Sequence, residues 1–237
     1  MKYTYLFINF FSVFVPFFFS FHPKLKFYKH FQSFFKANVL VGIFYILWDI
    51  LFTQMGVWGF NPDYVTGIYF INLPIEEILF FVCIPFSCVF TYHSLLLFFK
   101  IKWQPKTEKI AVITMTTLFI VVGMYFYTKA YTVFAFIGLA LLMYILKFRF
   151  KITWLPQFLM TYLVLLLPFF IVNGLLTGTG LASPIVWYNN AENMEIRLLT
   201  IPLEDVFYGF GLLFLNVFFF EIFKKNEIND SPIYHHR

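Results

Sequence analysis

The sequence is poor in charged residues, which make up 12% of its 237 residues, whereas soluble domains usually carry about 25%. Hydrophobic residues reach 61%, and the mean hydropathy is +0.78. A water-soluble chain of this size could not cover its surface with so few charges. This excludes a soluble Rossmann or barrel enzyme, a disordered scaffold and a disulfide-stapled secreted domain. Because the long apolar runs lack the alternating pattern of membrane strands, we predict an all-α integral membrane protein.

Cysteine is also scarce, with only Cys83 and Cys88 inside one apolar run. Five positions apart on a helix they do not face each other, so we interpret them as reduced, buried, structural thiols. The five histidines show no metal-ligand spacing, and the sequence has no G-x-G-x-x-G, P-loop or G-x-S-x-G motif. We therefore expect no metal ion and no nucleotide or flavin cofactor.

Hydropathy predicts seven membrane spans, at about residues 3–21, 37–53, 74–99, 110–128, 130–146, 154–175 and 198–223. The first span is too long and too aromatic for a signal peptide, and it lacks a small-residue cleavage site. Pro16, Pro85 and Pro168 fall inside apolar runs. A kink is tolerated there if neighbouring groups satisfy the carbonyls that proline leaves unpaired.

The distribution of Lys and Arg predicts the orientation in the membrane. Of these seventeen residues, Lys2, Lys129 and Arg197 lie on one side, and the other fourteen follow spans one, three, five and seven. The positive-inside rule then places the N-terminus outside and the C-terminus in the cytoplasm, as expected for a multi-pass protein of the inner cell membrane. The net charge of +5 is thus a topology signal, and we expect no nucleic-acid partner. Residues 224–237 are predicted to form a solvated cytoplasmic tail.

An internal repeat divides the chain, because residues 72–81 (NLPIEEILFF) return 128 positions later as residues 200–209 (TIPLEDVFYG). The same offset aligns Asn61 with Asn189. We predict two parallel three-helix repeats, at residues 1–100 and 130–223, joined by a connecting loop and helix at 101–129. In parallel repeats the two motif helices should meet near a pseudo-two-fold axis along the membrane normal.

The repeat places Glu76, Glu77, Glu204 and Asp205 in the first turns of two helices. One interpretation is structural, because acids in a first turn complement the helix macrodipole. The other is functional, because acids inside a membrane usually mark a site. Burial in an apolar pocket and a second carboxylate nearby both favour the protonated acid, which could then protonate an apolar substrate.

Adjacent positions on a helix point about 100° apart, so only one acid of each pair should face a cavity. We predict that Glu76 and Glu204 are the inward catalytic pair, with Glu77 and Asp205 as supporting or loop partners. The ring faces of nearby aromatic residues would suit the stabilisation of a carbocation. The predicted substrate-binding residues are Asp49, Trp48, Trp58, Phe60, Asn61, Phe80, Trp187, Tyr188, Asn189, Arg197 and Tyr208. Arg197 could pair with an acid, hold a loop or anchor the chain at the interface.

These motifs resemble those of the membrane lycopene cyclases of the heterodimeric type, which occur as two small subunits or as two fused domains. The resemblance lies in PIEE at 74–77 with Phe80 and Phe81, and in PLED at 202–205 with Arg197 and Tyr208. The Trp48-Asp49 pair and the loops at 58–61 and 184–189 are also similar to landmarks of that family. Asp205 replaces a second Glu, as in the family's second unit. Both halves are covered, so the chain looks like a fused single-chain version.

The resemblance implies an acid-catalysed, redox-neutral cyclisation of the acyclic ends of lycopene to β-ionone rings, without a cofactor. The expected partners are the carotenoid substrate and membrane lipid, and other enzymes of the carotenoid pathway are further candidates. Two alternatives stay open. One is a proton-coupled transporter or channel, because repeats with intramembrane acids also occur there. The other is a different isoprenoid or carotenoid end-group enzyme, although the Asp-rich magnesium motifs of prenyltransferases are absent.

Overall fold

The computed structural model describes residues 2–229, so the end of the predicted tail, from residue 230 onward, lies outside the described residues. Six of the described helices are long and apolar enough to cross a membrane, and the first is a shorter apolar helix of 16 residues. The predicted fold class, an all-α integral membrane protein with about seven helices, is confirmed. The helices are α1 (Thr4–Phe19), α2 (Phe31–Gln54), α3 (Ile75–Phe98), α4 (Pro105–Tyr125), α5 (Ala130–Tyr144), α6 (Leu155–Leu176) and α7 (Leu203–Asn229).

Short strands in the loops before α3 and α7 were not predicted. They form three antiparallel pairs: β1 (Trp58–Phe60) with β4 (Val186–Tyr188), β2 (Tyr69–Phe70) with β3 (Leu73–Pro74), and β5 (Arg197–Leu198) with β6 (Ile201–Pro202). The β2–β3 and β5–β6 hairpins turn at Ile71 and Leu199, whose φ angles of 59° and 60° are uncommon for residues with a side chain. Each hairpin therefore leads into its motif helix with the same backbone geometry.

The β1–β4 ladder relates the two halves by a local two-fold axis. Its central pair is Gly59 and Trp187, which occupy equivalent positions in the repeat. On either side, Asn61 N donates to Ile185 O and Asn189 N donates to Val57 O, both at 2.8 Å. A Cβ at Gly59 would lie 2.3 Å from the Trp187 ring, so only glycine allows this crossing.

The helices pack in the same repeated pattern. Within each half, the first helix packs against the motif helix, α1 against α3 and α5 against α7. Between the halves, α2 packs against α7 and α6 packs against α3, and the two motif helices also touch each other. The halves therefore share one core, and the motif helices lie at its centre, as predicted for parallel repeats.

Two of the three prolines inside helices leave a carbonyl unpaired that a side chain of another helix satisfies. Pro85 cannot donate to Phe81 O, and Asn38 Nδ2 of α2 donates to that oxygen at 2.9 Å. Pro16 likewise leaves Ser12 O free, and Ser87 Oγ of α3 donates to it at 2.8 Å. These bonds join each proline-containing helix to its neighbour. The two cysteines are unpaired thiols, as interpreted from the sequence, but both are half-buried and not buried as expected.

The connecting helix α4 belongs by its packing to the second half. It lies along α5, and its Glu108 forms an ion pair of 2.6 Å with Lys147, which lies just after α5. Both side chains are largely buried. Residues 99–104, before α4, are exposed and have no helical structure. We therefore propose that the first unit ends near residue 100 and that α4 folds with the second unit.

A chain cut between Lys102 and Trp103 should still assemble, because the break falls in exposed irregular chain and leaves both units intact. We expect the two co-expressed fragments to co-purify through a tag on either one. A cut between Met115 and Thr116, inside α4, is the control and should reduce co-purification strongly. Equal recovery of both pairs, or no recovery of the first, would contradict the proposed boundary.

Candidate active site

A cavity of about 640 Å³ lies among α1, α3, α6 and α7, and β1 and β4 contribute to its wall. Glu77 and Thr91 both line it, fourteen residues apart on α3, so the cavity extends about 21 Å along that helix. Phe7 and Phe11 of α1 and Ile171 of α6 also line it and are exposed on the outer surface of the helix bundle. The cavity thus opens sideways, between α1 and α6, toward the position of the lipid.

Two acids of the repeated motif reach this cavity, each held by phenol groups. Glu77 Oε2 accepts a hydrogen bond of 2.5 Å from Tyr5 Oη. Asp205 accepts one on each oxygen, at 2.6 Å from Tyr131 and at 2.9 Å from Tyr188. Burial, and next the nearby Asp205 carboxylate, raise the pKa of the Tyr188 phenol well above its usual range, so this phenol stays a donor.

A third acid, Asp49 of α2, lines the same end of the cavity and is 2% exposed. Its Oδ1 accepts a hydrogen bond of 2.5 Å from the indole Nε1 of Trp58. Its Oδ2 is buried and has no hydrogen-bond partner among the described residues. Glu77 is close enough to interact electrostatically with both Asp49 and Asp205. The three carboxyl groups therefore form one cluster.

The prediction that Glu76 and Glu204 face the cavity is wrong. Both are fully buried beside the loops that precede their helices, and neither lines the cavity. Glu76 Oε1 accepts from Thr66 N and Glu204 Oε1 accepts from Met194 N, both at 2.7 Å. In each half, a backbone N–H of the loop just before the hairpin therefore bonds the first acid of the motif. One acid of each pair does face the cavity, as predicted, but it is the second.

The sequence matches the family model described as lycopene cyclase over residues 2–95 and 128–223, which are the two repeats. The protein belongs to the lycopene cyclase family. No curated protein and no solved structure matches the chain. Membership in the lycopene cyclase family implies a carotenoid substrate, and the lipid-facing opening of the cavity suits such an apolar molecule.

Six of the predicted substrate-binding residues of this cyclase line the cavity, namely Asp49, Trp58, Phe60, Phe80, Tyr188 and Tyr208. Trp58, Tyr131 and Tyr208 present ring centroids 5.0 to 6.3 Å from one another, so the acid end of the cavity has an aromatic wall. Aromatic ring faces attract positive charge, and this wall lies beside the three carboxyl groups.

The other five predicted substrate-binding residues do not line the cavity, and each has a packing or loop contact instead. Trp48 is stacked on Tyr45, and Trp187 lies over Gly59. Asn61 and Asn189 accept backbone N–H groups of the turns that they begin.

Arg197, the last of the five, holds a loop. It donates to Thr200 O at 2.8 Å and to Asn190 Oδ1 at 2.9 Å, and its guanidinium carbon lies 5.9 Å from the Tyr188 ring centroid. The positive charge of Arg197 acts on Asp205 through space, but no ion pair or hydrogen bond joins the two side chains among the described residues. Of the roles considered from the sequence, loop holding is the one that the contacts match.

Tyr5 and Tyr131 were not predicted, although each donates to a cavity acid. They occupy related places at the start of α1 and α5, but they are 126 residues apart, so the 128-residue offset does not align them. The sequence signal that could have found them is a phenol near the start of each repeat's first helix, on the same side of the membrane as the acids.

Proposed function

We propose that the protein cyclises the acyclic ends of lycopene to β-ionone rings by proton transfer from and to the carboxyl groups of the cavity. The observation that carries this proposal is the cluster of Asp49, Glu77 and Asp205 at one end of a mostly apolar, laterally open cavity. Ring closure of an alkene needs an acid, a base and a site without water, and it changes no oxidation state. A carboxyl cluster in an aromatic cavity suits these needs.

The reaction begins when a carboxylic acid adds a proton to C2 of the terminal C1=C2 double bond. The tertiary cation at C1 is attacked by the C5=C6 bond, so that a C1–C6 bond forms and the positive charge moves to C5. A carboxylate then removes the proton from C6, and the electrons of that C–H bond restore the C5=C6 bond. The product is an isomer of the substrate, and the proton gained equals the proton lost.

We assign the proton transfers to the cavity-facing acids, among them Glu77 and Asp205. Tyr5, Tyr131 and Tyr188 orient these acids through their phenol donors. The ring faces around Trp58 stabilise the cation between the two transfers. Glu76 and Glu204 serve instead to hold the loops that close this end of the cavity.

The substrate enters from the lipid through the opening between α1 and α6, with one end group reaching the acids and the polyene lying along the cavity. This route requires no passage through water, in which a carotenoid does not dissolve. The exposed aromatic residues at the opening, Phe7 and Phe11, support it.

The test of the function is pigment analysis in a lycopene-accumulating bacterial host. Expression of the protein should convert lycopene to β-carotene, or to its one-ring intermediate, as identified by chromatography and absorption spectrum. A product with ε rings would support a cyclase and would show that the proton is removed from C4 and not from C6. Unchanged lycopene, with the protein present in the membrane, would refute the proposed function.

We further propose that the carboxyl cluster lies toward the outer face of the inner membrane, with the C-terminus in the cytoplasm. Lys2, Lys129 and Arg197 all lie near this face, and the other cations of residues 2–229 lie toward the opposite one. A reporter that is active only outside the cytoplasm should therefore work when inserted after Lys129 and fail after Lys102. The reverse pattern would contradict the orientation and leave the cavity chemistry unaffected.

A further inference from the structure

Asp49 differs from the other two cavity acids in how its oxygens are held. Both oxygens of Asp205 accept phenol hydrogens, an arrangement that suits a negatively charged acceptor. Asp49 has one oxygen held by Trp58 and a second, Oδ2, that is buried without a partner among the described residues. A buried polar atom without a hydrogen bond costs about 1–3 kcal/mol, so its presence needs an explanation.

The partner of Oδ1 determines where Asp49 can carry a proton. The indole N–H of Trp58 is a donor only, so Oδ1 must be the acceptor in the 2.5 Å bond between them. When Asp49 is protonated, the proton must therefore lie on Oδ2. That O–H has no oxygen or nitrogen to bond among the described residues, and Asp49 lines the cavity in which the double bond of a substrate would lie.

We propose that Asp49 is the catalytic acid that protonates the substrate and that Asp205 is the base that removes the ring proton. This proposal rests on the proposed function and adds to it the direction of proton flow. The Oδ2–H of Asp49 is transferred to C2, and the bond formed is C2–H. After C1–C6 closure, an Asp205 oxygen takes the proton from C6, and the C6–H electrons form the C5=C6 bond.

Glu77 completes the cycle by returning the proton. At the end of the reaction Asp49 is ionised and Asp205 is protonated, so one proton must move between them before the next turnover. Glu77 interacts electrostatically with both acids and lines the same end of the cavity. It takes the proton from Asp205 and passes it to Asp49, and no oxidant or other reactant is needed.

Deuterium uptake separates the donor from the base. Membranes that contain each variant are supplied with lycopene in D₂O, and the recovered carotenoids are examined by mass spectrometry. Asp49→Asn should form no rings and should leave the lycopene without added deuterium, because no acid protonates C2. Asp205→Asn should also form few rings, but it should return carotenoids that carry deuterium, because protonation still occurs and the proton added at C2 can be lost again. The double variant should match Asp49→Asn.

Any other pattern overturns the assignment, in particular deuterated lycopene from Asp49→Asn. Asp63→Asn is the matched control, since Asp63 is an exposed acid of a loop turn. Its replacement should change neither ring formation nor deuterium uptake. The wild-type protein is measured in the same membranes. If the wild-type protein leaves lycopene uncyclised, the proposed function is wrong. If Asp49→Asn forms rings at the wild-type rate, only the role assigned to Asp49 is wrong.

A second pair of variants covers the case in which Asp49→Asn does not accumulate. Asp49→Glu and Asp49→Gln place side chains of the same size at this position, and they differ in whether a proton can be donated. The Glu variant should retain ring formation and deuterium uptake, and the Gln variant should lose both by about 10²–10⁴-fold. Equal activity, or equal loss, in two variants of equal membrane level would refute a proton-donating role.

Discussion

Replacing Glu77 by Gln or Asp205 by Asn should stop ring formation and leave lycopene unchanged in pigment extracts. Each amide keeps the shape of the acid, but it can neither accept nor donate the proton that every turnover moves through the cluster. General acid–base catalysis contributes about 10²–10⁴-fold, so the loss should be visible as a change of pigment. Both side chains line the cavity and are not enclosed entirely between helices. The variants should therefore reach the membrane at near-normal levels.

Glu76→Gln and Glu204→Gln are the matched controls, because each alters the neighbouring acid of the same motif. Their Oε2 atoms are buried and have no partner among the described residues, so an amide there leaves two donors unsatisfied. We expect lower thermal stability, by about 1–3 kcal/mol, with β-carotene still formed. The assigned roles would be reversed by the opposite result. In that case the Glu76 and Glu204 variants would accumulate lycopene at normal protein level, and the Glu77 and Asp205 variants would still form β-carotene.

A large side chain at position 209, inside the cavity, should reduce ring formation about as strongly as loss of a cavity acid. Gly209 lines the cavity next to Tyr208, and a Cβ there would make only ordinary contacts, of 3.4 Å with Phe169 and 3.7 Å with Tyr162. Gly209→Ala should therefore retain most activity. Gly209→Trp would place an indole in the space that we assign to the substrate, and conversion of lycopene should fall at least about 100-fold if binding and orientation are both lost.

Gly138→Trp is the control for this substitution. Gly138 lies on the exposed face of α5, and a Cβ there would meet no atom within 4 Å. The same change of residue at this position should leave ring formation unchanged, as measured by the β-carotene to lycopene ratio at equal protein level. Normal activity of Gly209→Trp would show that the substrate does not occupy this cavity.

The sequence predicts the helices well because membrane insertion imposes a simple rule on them. A helical span needs about 20 apolar residues, and only helices and closed barrels satisfy their backbone groups in lipid. Because the sequence lacks the alternating pattern of barrel strands, hydropathy locates α1 to α7. The repeat is also visible in the sequence, because Pro74 and Pro202 begin helices with acids in the same register. The central position of α3 and α7 follows from that repeat.

The orientation of the acids could not be predicted, because it depends on loop structure that has no hydropathy signal. Helix geometry indicates that one acid of each pair faces a cavity, but it does not determine which one. The loop before α3 instead places the Thr66 N–H against Glu76, and this contact leaves Glu77 as the acid that lines the cavity. The phenols of Tyr5 and Tyr131 were missed for a related reason, since the two halves place equivalent groups at unequal sequence positions.

The β1–β4 ladder also sets the order of events during biosynthesis. Gly59 leaves the ribosome 128 residues before Trp187, its partner at the centre of the ladder. At about 5–20 residues per second, this delay amounts to roughly 6–25 s. During that interval the nascent first unit has an unpaired strand, and its Asp49 and Glu77 border a cavity whose opposite wall, α6 and α7, has not yet been made. The acid cluster, and any chemistry that depends on it, therefore comes into being only when the second unit is inserted.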